Sequence, residues 1–97
     1  MSDVVTSAVT ALSEKLSGDG FDSKIKIVIE NEGSIIIDGD GARAGDDDDA
    51  DCTMTASADT LQGMLDGSVN PTAAFMGGQL SVEGDMSVAM KLGSVLA

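Results

Sequence analysis

Apolar residues at every fourth position open the chain: Val4, Ala8, Leu12 and Leu16, with Val5 and Val9 beside them. That spacing predicts an amphipathic helix over residues 3–17. Ser2 or Asp3 would cap it, and Gly18 with Gly20 would stop it. The period then drops to two. In KIKIVIE, residues 24–30, Ile25, Ile27 and Ile29 share one face of a strand. Asn31-Glu32-Gly33 is a turn signal, and SIIID, residues 34–38, is the returning strand of a hairpin. A polar loop, DGDGARAGDDDDAD, leads into DCTMTAS, where Cys52, Met54 and Ala56 alternate with Thr53 and Thr55.

The second half of the chain returns to helical spacing. Ser57 precedes a short helix over residues 58–66, whose Leu61, Met64 and Leu65 form one stripe ending at Gly67. Asn70-Pro71 starts another helical turn, with Asn as cap and Pro in the first position. It ends at Phe75-Met76 before Gly77-Gly78, and QLSVE, residues 79–83, is a strand with Leu80 and Val82 facing inward. Gly84-Asp85 turns the chain into a last helix, residues 86–96. The order αβββααβα predicts one α+β domain over residues 1–97, an antiparallel sheet with helices on one face.

The last helix is too apolar for a simple surface helix. In MSVAMKLGSVL, Ser87, Lys91 and Ser94 make one narrow polar stripe, and the rest is apolar or glycine. An amphipathic surface helix needs an apolar arc only somewhat wider than ~100°. One side can pack on the sheet, and the remainder must cover something else. Periodicity alone favours more core or half of a homodimer contact over the wall of a ligand site. Methionine, unbranched and polarizable, suits a surface that accepts guests of varying shape, and Met76, Met86 and Met90 crowd this region.

Composition narrows the classes of function. Ninety-seven residues with 42% hydrophobic content form one core, not two. Seventeen acids against five bases give a net charge of −12. That balance argues against nucleic acid as a partner, since phosphate neutralisation needs a Lys/Arg surface. It argues equally against strong attraction to anionic membranes. No apolar run approaches the ~18 residues of a membrane span. MSDVVTSAVTALSEKL lacks a basic start and an unbroken apolar stretch, so no secretory leader is expected. A single Cys52 suits a reducing, cytoplasmic setting.

Reactive chemistry is sparse. The chain has no His, Trp or Tyr, so the usual general base and the commonest neutral metal ligand are missing. Cys52 sits mid-strand beside Asp51 without an imidazole, which reads as a buried structural thiol. Asp38, Asp40, Asp46 to Asp49 and Asp51 supply oxygens that Ca²⁺ accepts, but EF-hand spacing fails after Gly41. A solvated acidic hairpin loop is the expectation there, with no metal, no cofactor and no catalytic residue.

One stretch resembles a known family. Asn70-Pro71, Ala74-Phe75-Met76, Gly78, Leu80, Val82, Gly84, Met86 and Ala89-Met90-Lys91-Leu92 resemble the C-terminal signature of the sterol carrier protein (type 2) lipid-transfer domain. Upstream, Asp51 opening a Thr-rich strand and a short helix ending in Gly67 are compatible with it. The resemblance implies a five-stranded sheet capped by helices around an apolar tunnel for fatty acids, acyl esters or sterols, and carriage without catalysis. The fifth strand is expected near residues 40–46. Phe75, Met76, Leu80, Val82, Met86, Ala89, Met90 and Gly93 become the tunnel-lining candidates, with Leu61, Met64 and Leu65 opposite. One departure stands out: where the family often alternates lysines, this chain has Gln79, Ser81 and Glu83. That weakens the case for a coenzyme A head group or an anionic membrane and leaves the apolar pocket untouched. The chain also ends in Val-Leu-Ala, unlike a Ser-Lys-Leu peroxisomal address. A cytoplasmic carrier, monomeric or homodimeric, is the expected result; an interaction module using the last helix is the alternative.

Overall fold

A computed structural model of the protein describes residues 3–16, 21–46 and 49–96, without the side chains of residues 71, 95 and 96. The expected cap Ser2, the helix-stopping Gly18 and Gly20, Asp47 and Asp48 of the acidic loop and the terminal Ala97 lie outside the described residues. The first helix, α1, spans Asp3–Lys15 and buries Val5, Ala8 and Leu12. Val4 is only half-buried, although it stands in the four-residue repeat. A step of four advances a helix by about 40° beyond a full turn, so such a repeat drifts across the surface. The buried line therefore starts from Val5 in place of Val4 and continues through Ala8, Leu12 and Leu16.

The hairpin follows as β1, Ile25–Ile29, and β2, Gly33–Asp38, paired antiparallel with Ile27 opposite Ile35. Asn31 turns it at φ 66°, a left-handed conformation that Asn tolerates better than most side chains. The missing strand is β3, Gly41–Ala44, pairing with β2 from Ile35–Ala44 to Asp38–Gly41. A two-residue turn joins them, in which Asp38 Oδ1 accepts the Asp40 N–H at 3.0 Å. That N–H and the Arg43 guanidinium, 2.8 Å from Asp38, hold the carboxyl below its usual range.

The next strand, β4, Cys52–Ala56, corrects the expected topology. It runs parallel to β1, with Ile25 beside Cys52 and Ile27 beside Met54. The last strand, β5, Leu80–Gly84, is antiparallel to β4, giving a mixed five-stranded order β3-β2-β1-β4-β5. A parallel neighbour needs a crossover, and here it is the acidic segment, not a helix. Gly45 lies against Ile36, which is 1% exposed yet outside the main core. Beyond it Asp46 pairs with Lys26 and Asp49 Oδ1 with Lys24 Nζ at 2.6 Å. Lys24 and Asp51 close the segment: the Asp51 N–H donates to the Lys24 carbonyl at 2.8 Å, and the Lys24 N–H to Asp51 Oδ2 at 3.0 Å. The described part of the expected acidic hairpin loop, residues 45–46 and 49–51, is thus tied to Lys26 and Lys24. Its carboxylates are exposed, so each pair contributes at most about 1 kcal/mol.

Three helices complete the front layer with α1. Ser57 caps α2, Ala58–Asp66, its Oγ accepting the Thr60 N–H at 3.2 Å, and Gly67 ends it at φ 88°. Asn70 caps α3, Pro71–Met76, and Asp85 caps α4, Met86–Leu96, by accepting the Ser87 N–H at 2.9 Å. Inward residues of all four helices and of β1, β2, β4 and β5 form one core. The β5–α4 corner depends on Gly84, whose φ is 101° and whose added Cβ would lie 2.6 Å from the Asp51 carbonyl oxygen. Gly84→Ala combines a left-handed backbone with a backbone clash and should cost at least about 2 kcal/mol. Urea unfolding would show that as a lower midpoint at unchanged slope.

Candidate functional site

The two short caps just described set the geometry of one corner of the fold. Asn70 Oδ1 accepts the N–H groups of Thr72 and Ala73 at 2.8 and 3.2 Å, and Pro71 supplies a preset first turn. The helix lasts only to Met76, where the Gly77 N–H donates to the Ala73 carbonyl at 2.9 Å and Gly78 takes φ 80°. The chain therefore doubles back at once into β5. Helix α3 packs on β5 and α4, and α4 packs on β4 and β5. Between them lies a hollow of about 480 Å³. That size falls within the ~300–1,000 Å³ typical of ligand pockets.

Helix α4 has two apolar sides. Val88, Ala89 and Leu92 are buried in the core. Met86 and Met90, one turn apart, face the hollow with Gly93 and Ser94. This is the wide arc anticipated from MSVAMKLGSVL, except that Ser94 belongs to the hollow side. Lys91 instead reaches Asp22 at 3.1 Å. Phe75 and Met76 form the opposite rim, and Met54, Leu80, Val82 and Ala89 form the floor. Phe75 is 41% exposed, Met76 80%, Met86 42% and Met90 72%. These are all the large apolar side chains left exposed among the described residues. Grouping of this kind marks an interaction or ligand site, whereas single exposed apolar residues mark nothing.

Eight of the candidate residues thus meet here: Phe75, Met76, Leu80, Val82, Met86, Ala89, Met90 and Gly93. Leu61, Met64 and Leu65 do not line the hollow. Leu61 and Met64 are buried core residues of α2, with Leu65 packed against that core, and α2 lies against α1. Asn70, Thr72, Ser94 and Met54 line it without having been anticipated. The signal for Met54 was its alternation with Thr53 and Thr55, but its facing Val82 follows from the β4–β5 register. For Ser94, the signal was its four-residue spacing from Met90.

The space is open on one side, where a tunnel would be closed round. None of the described residues lining it is acidic or basic. Cys52, two residues before Met54 on β4, is buried outside the hollow's lining, and desolvation raises its thiol pKa, reinforced by the charges of Asp85 and Asp51. Its alkylation in the folded protein should be on the order of a hundredfold slower than in denaturant. A timed iodoacetamide reaction followed by mass measurement checks this. Among the described residues no cluster of His, Cys, Asp or Glu is arranged to hold a metal, and no helix is long and apolar enough to cross a membrane.

A model of the SCP-2 sterol transfer family matches residues 7–97. The chain belongs to that family. As an SCP-2 member it is 38% identical over 68 residues to Sterol carrier protein 2 of Rattus norvegicus, covering 70% of this chain and 11% of that protein. The chain therefore spans about a tenth of the length of such curated SCP-2 relatives. The Aedes aegypti Sterol Carrier Protein-2 complexed with palmitate superposes with a TM-score of 0.78 at 18% identity, over 100% of this chain and 97% of that one. The apo Sterol Carrier Protein 2 of Yarrowia lipolytica superposes at 0.69 and 24% identity, over 97% of this chain and 84% of that one. These two likenesses establish the SCP-2 fold. Family membership supports a lipid-binding or lipid-transfer role.

Proposed function

We propose that this chain is a single, non-catalytic carrier domain that holds a long apolar ligand in the hollow between α3, β5 and α4. The observation that carries the reading is the convergence of Phe75, Met76, Met86 and Met90, otherwise unaccountably exposed, on one apolar-floored space. The ligand class is fatty acyl or sterol-like, in keeping with the palmitate held by the Aedes aegypti relative. Removing about ten methylenes from water at ~0.8 kcal/mol each gives roughly 8 kcal/mol before costs. Association and ordering consume part of it. Micromolar or weaker affinity follows, which suits a carrier that must also release its load. The single buried thiol fits work in a reducing compartment such as the cytoplasm.

The experiment is mass spectrometry of the purified chain under non-denaturing conditions, then after solvent extraction. A bound species that extracts as a fatty acid, ester or sterol supports the carrier. The same four exposed residues would also serve a homodimer contact. An apo dimer that displaces no fluorescent lipid up to about 100 μM, a binding free energy near −5.5 kcal/mol, would replace the carrier with that reading.

A further inference from the structure

Charge is laid out around the hollow in a way that bears on what enters it. The polar side chains among its described lining residues are Asn70, Thr72 and Ser94, all neutral. Asn70 commits its carbonyl oxygen to the Thr72 and Ala73 N–H groups, leaving its amide nitrogen as a donor. Ser94 donates its hydroxyl to the Met90 carbonyl at 3.3 Å and keeps its oxygen as an acceptor. In the whole stretch from Asn70 onward the only base is Lys91, against the acids Glu83 and Asp85. That lysine is 3.1 Å from Asp22. The chain as a whole carries −12.

We infer that the hollow selects long-chain lipids with an uncharged head group, an alcohol or ester, over ionised fatty acids and acyl-coenzyme A. The inference rests on the carrier reading above. A carboxylate at this rim would find no cation among the described lining residues, whereas a hydroxyl needs none. A hydroxyl gives and takes one hydrogen bond, and the rim offers both a donor and an acceptor. The chain's net negative charge adds a repulsion that grows with head-group charge, screened over about 10 Å at 0.1 M salt. Discrimination here is mainly by rejection.

The test compares dodecanol, laurate and lauroyl-coenzyme A as displacers of an uncharged fluorescent probe, near neutral pH and in about 20 mM salt, where screening is weak. Dodecanol should bind at least about tenfold tighter than laurate, with lauroyl-coenzyme A weaker again, and about 300 mM salt should narrow the gaps. Laurate binding as tightly as dodecanol would overturn the selectivity while leaving the carrier standing. Displacement by none of the three would remove the carrier reading itself. Thr72→Lys places a cation at the rim and should move the laurate-to-dodecanol affinity ratio about tenfold toward laurate. Thr72→Gln, without the charge, should not move it. An unmoved ratio in the folded Lys variant would overturn the placement of the head group at this rim.

Discussion

Met90→Asp should weaken lipid binding about 30-fold or more in a protein that remains folded. Met90 is 72% exposed, so its replacement removes little core packing. Surface substitutions of that kind change stability by about 0.5 kcal/mol, or a few degrees in the melting temperature of a domain this size. The hollow has no base with which to neutralise the new carboxylate, since its described lining is uncharged. An alkyl chain laid against that carboxylate must strip its water without replacing it, at a cost of at least about 2 kcal/mol. That is a loss of about 30-fold or more in affinity. Titration with a fluorescent lipid, beside a melting curve, measures both quantities. Unchanged binding in the folded variant would take Met90 out of the wall.

How much of this was legible beforehand depends on how far each cause reaches along the chain. Ser57 with Gly67, and Asn70 with Pro71, bound their helices through contacts a few residues long, and the structure places both pairs where the sequence does. Ile25, Ile27 and Ile29 announced a strand because alternation is local too. What lay hidden is long-range. GARA has no branched apolar residue, so its own pattern does not mark β3; only the family resemblance placed a strand there, and β2 supplies its pairing edge. Nothing within CTMTA says that its neighbour is β1 or that the two run parallel. The acidic segment that leads into β4 is solvated as expected, but the run of Asp does not reveal where its described ends are held. Its anchors, Lys24 and Lys26, lie some 20 residues upstream.

The same division explains the candidate site. From Phe75 to Gly93 the hollow is built by neighbours in sequence, and eight candidates fell on it. Leu61, Met64 and Leu65 have the right chemistry on the wrong side: the stripe of α2 meets the core beside α1. An apolar stripe shows that a face is covered. It does not show what covers it.

Helix α4 therefore carries two functions that mutation should separate, and Leu92 is the counterpart of Met90. Leu92 is 0% exposed in the core. Leu92→Ala removes its transfer energy and leaves a cavity, a loss of about 3–4 kcal/mol. Against a total stability of about 5–15 kcal/mol for a typical domain this is severe, a fall in melting temperature on the order of 15 °C. Met90→Ala should leave the melting temperature nearly unchanged but reduce the stabilisation given by added lipid. Lipid at 100 times its dissociation constant raises the stability of a competent protein by about 2.7 kcal/mol. The truncated wall lowers that increment because its dissociation constant is higher. Leu92→Ala should keep most of the increment on a much lower baseline, since the residue touches the core and not the hollow. Melting curves of both variants with and without lipid separate the cases. Equal losses of baseline and of increment in the two variants would mean that α4 has no such division between a packing side and an open one.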